Sequence, residues 1–160
     1  MGGDDINQEN IHLDDFLTLL KEFLNSELKR DELKIKLSEK DIKLLKSLSE
    51  KFPELFTTIL KDLEKIMKDD ILDLTDIPNL VILIKDIYNI YSTKISTIEK
   101  TTLNDSISII KTIILLLLEL EYIKVVDKEK FIKLLDASIE LLSSTVVINN
   151  SLCSFFKCFA

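Results

Sequence analysis

The side chains equipped for chemistry are few. The sharpest string is Asp69-Asp70-Ile71-Leu72-Asp73. Carboxylates one helical turn apart offer hard oxygen ligands to one face, an arrangement suited to Mg²⁺ and, through it, a diphosphate. His12 is the only histidine, so any Ser–His–Asp triad has to run through it. A zinc site would have to join His12 to Cys153, Cys158 and a carboxylate. The two cysteines are five positions apart, which is not the Cys-x-x-Cys redox spacing.

Each of these strings has a plainer reading. The acid string resembles the DDxxD motif of all-helical isoprenoid synthases, and that resemblance implies Mg²⁺ and a diphosphate substrate. Those enzymes carry a second acidic motif on a facing helix and a considerably longer chain. Here the string precedes Thr75, at the expected end of a helix. With 28 acids in 160 residues such runs arise readily, and a solvated helix terminus is favoured. His12 falls in the first turn of the first expected helix, as an exposed residue. Di-iron bundles need Glu-x-x-His twice and are excluded. Glycine occurs only at Gly2 and Gly3, so neither a Walker loop nor a dinucleotide-binding fingerprint can be built. No catalytic, cofactor-binding or metal-binding residue is assigned, no cofactor is expected, and the chain is read as not an enzyme.

The residues assigned to contact are Cys153, Phe155, Phe156, Cys158 and Phe159. They form a short apolar tail around Lys157. Its functional readings are S-acylation, peripheral contact with a membrane interface, or docking into a partner's groove. The competing reading is a last half-helix that closes over the core, as soluble chains usually do with such aromatics. Tyr88 and Tyr91, with Tyr122 elsewhere, are read as core-rim packing with wet hydroxyls.

Charge is uneven along the chain. The net charge is -7. Residues 1–28 carry seven acids and one Lys, whereas residues 29–51 carry eight bases and five acids. The basic run lacks aromatics, and its Lys alternate with acids, so nucleic acid is disfavoured as a partner. A solvated helical face with i,i+4 pairs such as Glu32–Lys36 and Glu39–Lys43 is expected instead. The acidic head and the basic segment can also pair with each other, within one molecule or between two.

These residues need a frame, and composition points to an all-α one. Leu and Ile supply 52 of 160 residues, ample for a core without disulfide or metal. The lack of glycine argues against tight hairpins, although 20 Lys against the single Arg30 also read as codon bias from an AT-rich genome. With that bias, Asn and Asp are the expected occupants of any left-handed backbone position. Apolar residues recur at helical spacing from Leu13 to Leu28, Ile42 to Leu48, Leu55 to Met67, Leu80 to Ile98 and Phe131 to Leu142. Ser38 with Asp41 forms a capping box, Pro53 suits a helix start, Thr75 or Asp76 caps a helix holding Pro78, and Asp127 caps the last helix. The segment 105–123 is apolar nearly all round and belongs at the centre. The expectation is a compact bundle of about six helices around it. The 160 residues are read as one domain, with a flexible N-terminus over 1–10 and the aromatic tail over 149–160. Thr145 to Ile148 are read as continuing the last helix. No stretch reaches the roughly 20 apolar residues of a membrane span. The absence of a basic, apolar start, together with the two Cys, predicts an intracellular, cytoplasmic setting.

These readings favour a non-catalytic protein that acts through contact with other proteins or with itself. One form is a structural or assembly component, such as part of a viral particle. The alternative is a regulator that binds a partner helix in a groove. In length and layout the chain is similar to viral Bcl-2-like proteins, although their Asn-Trp-Gly-Arg signature is missing. A third reading is a small-ligand binder or enzyme with its acidic site at 69–73.

Overall fold

The structure, a computed structural model, describes residues 3–66, 74–98 and 103–159, with side chains over 14–66, 75–98 and 104–143. Among the described residues it is all-α, with no strand. Seven helices run in order: α1 (Gly3–Asn25), α2 (Glu27–Arg30), α3 (Glu39–Lys51), α4 (Glu54–Ile66), α5 (Ile77–Ile98), α6 (Leu103–Glu119) and α7 (Lys128–Phe159). A 3-10 turn, Leu74–Asp76, leads into α5.

Local signals place most helix starts. Ser38 and Asp41 close a capping box on α3, each side chain accepting the other's backbone N–H at 3.1 Å. Asp127 Oδ1 accepts the Lys130 N–H at 3.1 Å and caps α7. These contacts satisfy donors that a bare helix start leaves open. Pro53, which has no N–H to lose, stands just before α4.

Two boundaries differ from expectation. α1 begins at Gly3, so His12 lies mid-helix rather than in a first turn. The apolar stripe drawn to Leu28 stops sooner. Ser26 leaves the helix with φ -126° and caps the one-turn α2 through its Oγ. Leu28 on that turn is 82% exposed. The 3.6-residue period continues past the point where the backbone breaks.

One contiguous core joins the helices, with Phe16, Leu45, Phe56, Ile84, Ile113 and Phe131 fully buried. Phe16 meets Phe56 at 5.8 Å and the edge of Tyr122 at 5.1 Å between ring centroids. Helix α6 is enveloped as its composition demands. Over 104–119 only Asn104 and Ser108 are exposed, and α4, α5 and α7 pack around it. Lys111, its one cation, pairs with Asp136 on α7. Helix α5 shares the centre, touching α3, α4, α6 and α7, with Leu80, Ile84, Ile87, Tyr91 and Ile95 buried along it. Buried Ser49 and Ser138 donate to the carbonyls of Lys46 and Leu134 at 2.8 and 2.7 Å, so neither hydroxyl is left uncompensated.

The central helix, expected over 105–123, stops at Glu119. Tyr122 N–H donates to Leu117 O at 2.9 Å and Glu121 N–H to Leu118 O at 3.2 Å. Glu121 has φ 65°. This is the Schellman close, in which the left-handed position is usually glycine. Neither Asn nor Asp stands there. A β-carbon and a carboxylate occupy the left-handed region.

Candidate docking cleft

Residues 31–38 join α2 to α3 without helix. Side chains alternate along this strap: Leu33 is buried, Ile35 and Leu37 are half-buried, and Lys34 and Lys36 are exposed. Arg30, just before it, donates from one guanidinium nitrogen to the carbonyls of Leu24 at 2.6 Å and Phe23 at 3.4 Å. The chain's single arginine thus satisfies carbonyls that the end of α1 leaves open.

The strap is held at two places on α6. The Glu119 carboxylate accepts the backbone N–H of Lys34, and also that of Ile35 at 3.3 Å. Two successive N–H groups converging on one anion form a small backbone nest. Lys40, at the start of α3, pairs with Asp105 at 3.1 Å. Asp105 and Glu119 are 14 residues apart on one helix, about 21 Å at 1.5 Å per residue. The strap therefore runs antiparallel along α6, from its end toward its beginning. Glu119 sits at the negative end of that helix, where an anion left alone costs about 0.3–1 kcal/mol. The two strap donors offset that cost.

Open space lies on both sides of the strap. On one side is a cleft of about 570 Å³ lined by Glu32, Lys34, Ile35, Leu115, Leu118, Glu119, Lys128, Glu129 and Ile132. Its floor is aliphatic and its rim charged, the usual composition of a recognition site. On the other side is a cleft of about 410 Å³, lined by the ends of α2 and α3 and by Leu33, Ile35, Lys36 and Leu37. Ile35 lines both. A third hollow, about 360 Å³, lies where α4 ends and α5 begins, between Asp62, Lys65, Asn79 and Asp86.

The residues singled out from sequence fare unevenly. Asp69, Asp70 and Asp73 lie outside the described residues. Cys153, Phe155, Phe156, Cys158 and Phe159 lie on α7, as do Thr145 to Ile148, but the side chains of the tail are outside the described residues, as is that of His12. Among the described residues no group of His, Cys, Asp and Glu gathers as a metal ion needs, and no helix is long and apolar enough to cross a membrane.

Tyr88 and Tyr122 pack at the core rim as expected, but Tyr91 does not keep a wet hydroxyl there and belongs to the core itself. Tyr91 is buried with its hydroxyl 3.3 Å from Thr58 Oγ1, and Lys94 lies 5.3 Å from its ring centroid. Burial, and to a lesser degree the negative charge of Asp15, pushes the Tyr122 hydroxyl above its usual pKa.

The basic segment corrects one expectation. Glu32 and Lys36 share no helix, because the strap intervenes, and Glu39 and Lys43 lie one turn apart without an ion pair. Lys29 instead reaches back to Glu22 at 2.9 Å, one link between basic segment and acidic head. The cleft and its Glu119 latch were missed from sequence. The available signal was the Leu33-Ile35-Leu37 alternation, which fits an extended segment better than a helix.

The chain matches no known protein family, no curated protein and no solved structure.

Proposed function

We propose that this is a non-catalytic interaction protein that seats apolar side chains of a partner protein in the cleft between the strap, the end of α6 and the start of α7. The aliphatic floor of Ile35, Leu115, Leu118 and Ile132 within a charged rim carries this reading. Ile132 is 36% exposed, an aliphatic side chain that a partner can cover. The groove-forming regulator is thus preferred over a purely structural part. An intracellular setting belongs to the same proposal, on composition and cysteine usage. So does a secondary contact through the tail at Phe155, Phe156 and Phe159.

The test is a panel of amphipathic helical peptides added to the purified protein. A peptide at 100 times its Kd stabilises by about 2.7 kcal/mol, which raises the melting temperature of a chain this size by roughly 5–10 °C. Ile132→Glu should keep the unliganded melting temperature and abolish the rise. A panel that leaves the melting temperature unmoved sinks the proposal.

A further inference from the structure

We infer that the strap over 31–38 is a gate, latched by Glu119, that divides one groove into two, and that the groove it opens takes a basic amphipathic helix. The inference rests on the docking reading above and adds the regulation and the partner's charge.

The division follows from the lining residues. Ile35 faces the clefts on both sides, with Lys34 on one and Leu33, Lys36 and Leu37 on the other. The strap is their common wall. Moving it joins Leu115, Leu118 and Ile132 on one side to Ile42 on the other in a single trough.

The latch is small. Asp31 and Glu32 N–H bond back to Glu27 O and Lys29 O at 3.0 and 3.1 Å. From there to the capping box at Ser38 the strap backbone is held by Leu33 N–H on Arg30 O at 3.0 Å and by the two N–H groups on Glu119. The N–H groups of Lys36 and Leu37 meet no protein acceptor. A segment with so few backbone bonds opens at lower free energy than the helices around it.

Charge selects the partner. Two rim groups are already used on the backbone, Glu119 on the strap and Arg30 on the end of α1. The acids left around the joined groove are Glu27, Asp31, Glu32, Glu39 and Glu129, against Lys34, Lys36 and Lys128. Asp31, Glu32, Lys34 and Lys36 ride on the strap and leave with it, so Glu27, Glu39, Glu129 and the released Glu119 remain against Lys128 and Arg30. The groove that remains is acidic, in a chain of net charge -7, so cationic residues flanking an apolar stripe complement it.

The experiment compares wild type with Glu119→Gln, and with Glu119→Asp, whose shorter arm withdraws the carboxylate. Amide hydrogen exchange is followed together with binding of two designed helices, one of Leu and Lys and one of Leu and Glu. Both variants should speed exchange at Lys34 and Ile35 at least tenfold while α6 amides keep their protection. Affinity for the Leu/Lys helix should rise at least tenfold and fall with added salt, and the Leu/Glu helix should bind more weakly than the Leu/Lys one to every form. Unchanged exchange at Lys34 and Ile35 overturns the latch, even if wild type binds peptide and the docking reading stands. Faster exchange with unchanged affinity overturns the gate. Preference for the Leu/Glu helix overturns the partner assignment. If no form binds either helix, the docking reading falls as well.

Discussion

Replacing Glu121 by glycine should stabilise this protein. Glu121 is held at φ 65° by the paired bonds that close α6. An L-residue with a β-carbon in that region bears about 1–2 kcal/mol of steric cost, which glycine lacks. Against this, glycine loosens the unfolded chain by about 0.4–1 kcal/mol. The balance is a gain from the backbone of about 0.8 kcal/mol at the middle of those two ranges, whose extremes span about 0–1.6 kcal/mol. Loss of the carboxylate adds a few tenths more at low salt, because it stands at the negative end of the helix dipole. Glu121→Gln isolates that second part, since it removes the charge and keeps the β-carbon. The assay is urea unfolding followed by far-ultraviolet circular dichroism, in low and high salt. The Gly variant should raise the midpoint with an unchanged slope, the mark of a stability change without a change in surface exposed. Its melting temperature should rise by roughly 1–4 °C. The gain should persist in high salt, whereas that of Glu121→Gln should vanish. A Gly variant no more stable than the Gln variant in high salt would refute the steric reasoning, and a fall in midpoint would show that Glu121 makes a contact worth more than its strain.

Asp127→Ala removes the acceptor for the Lys130 N–H at the start of α7 and should cost about 1 kcal/mol, read as a lowered urea midpoint. Tyr122 should ionise above its ordinary value in an ultraviolet titration, because burial, then Asp15, disfavours the phenolate. Asp15→Asn should reverse only the smaller share of that rise. By linkage, the stability Tyr122 contributes is fully present below its unfolded pKa near 10 and is lost as pH rises through its higher folded value, so Asp15→Asn should soften the alkaline loss.

The helices were legible because their inward residues follow a period that burial then enforces. Leu80, Ile84, Ile87, Tyr91 and Ile95 share one face, and the structure buries them all. Caps were equally legible, since Ser38, Asp41 and Asp127 act within three residues of their own position. Leu28 shows where periodicity misleads: it sits in phase with Leu24, but Ser26 prefers to bond the backbone ahead of it and ends the helix. The strap was hidden for a different reason. Leu33 and Leu37 are spaced as helical neighbours, and only Ile35 between them tips the pattern toward an extended chain, a signal three residues long. What decides is the carboxylate of Glu119, 85 residues away from Lys34, and no local pattern announces it.

The end of α6 gathers several residues that local rules disfavour. Glu119 and Glu121 both place anions at the negative end of a helix, and Glu121 takes the position suited to glycine. The loop that follows exposes Val126 to 90%. A codon bias against glycine explains why Gly is missing at 121, but it does not explain two acids there, since Asn and Lys are as accessible to an AT-rich genome and suit the dipole better. Local choices that conflict with the fold are expected where function sets the residue. Glu119 meets that description most directly: it gives up a favourable charge position and in return holds the strap between the two clefts. The same reasoning makes Glu121 the informative contrast. If it has no contact to offset its strain, substitution there stabilises the protein and leaves peptide binding alone, whereas substitution at Glu119 changes binding. Opposite behaviour of two acids two residues apart would separate compositional accident from design in the mechanism.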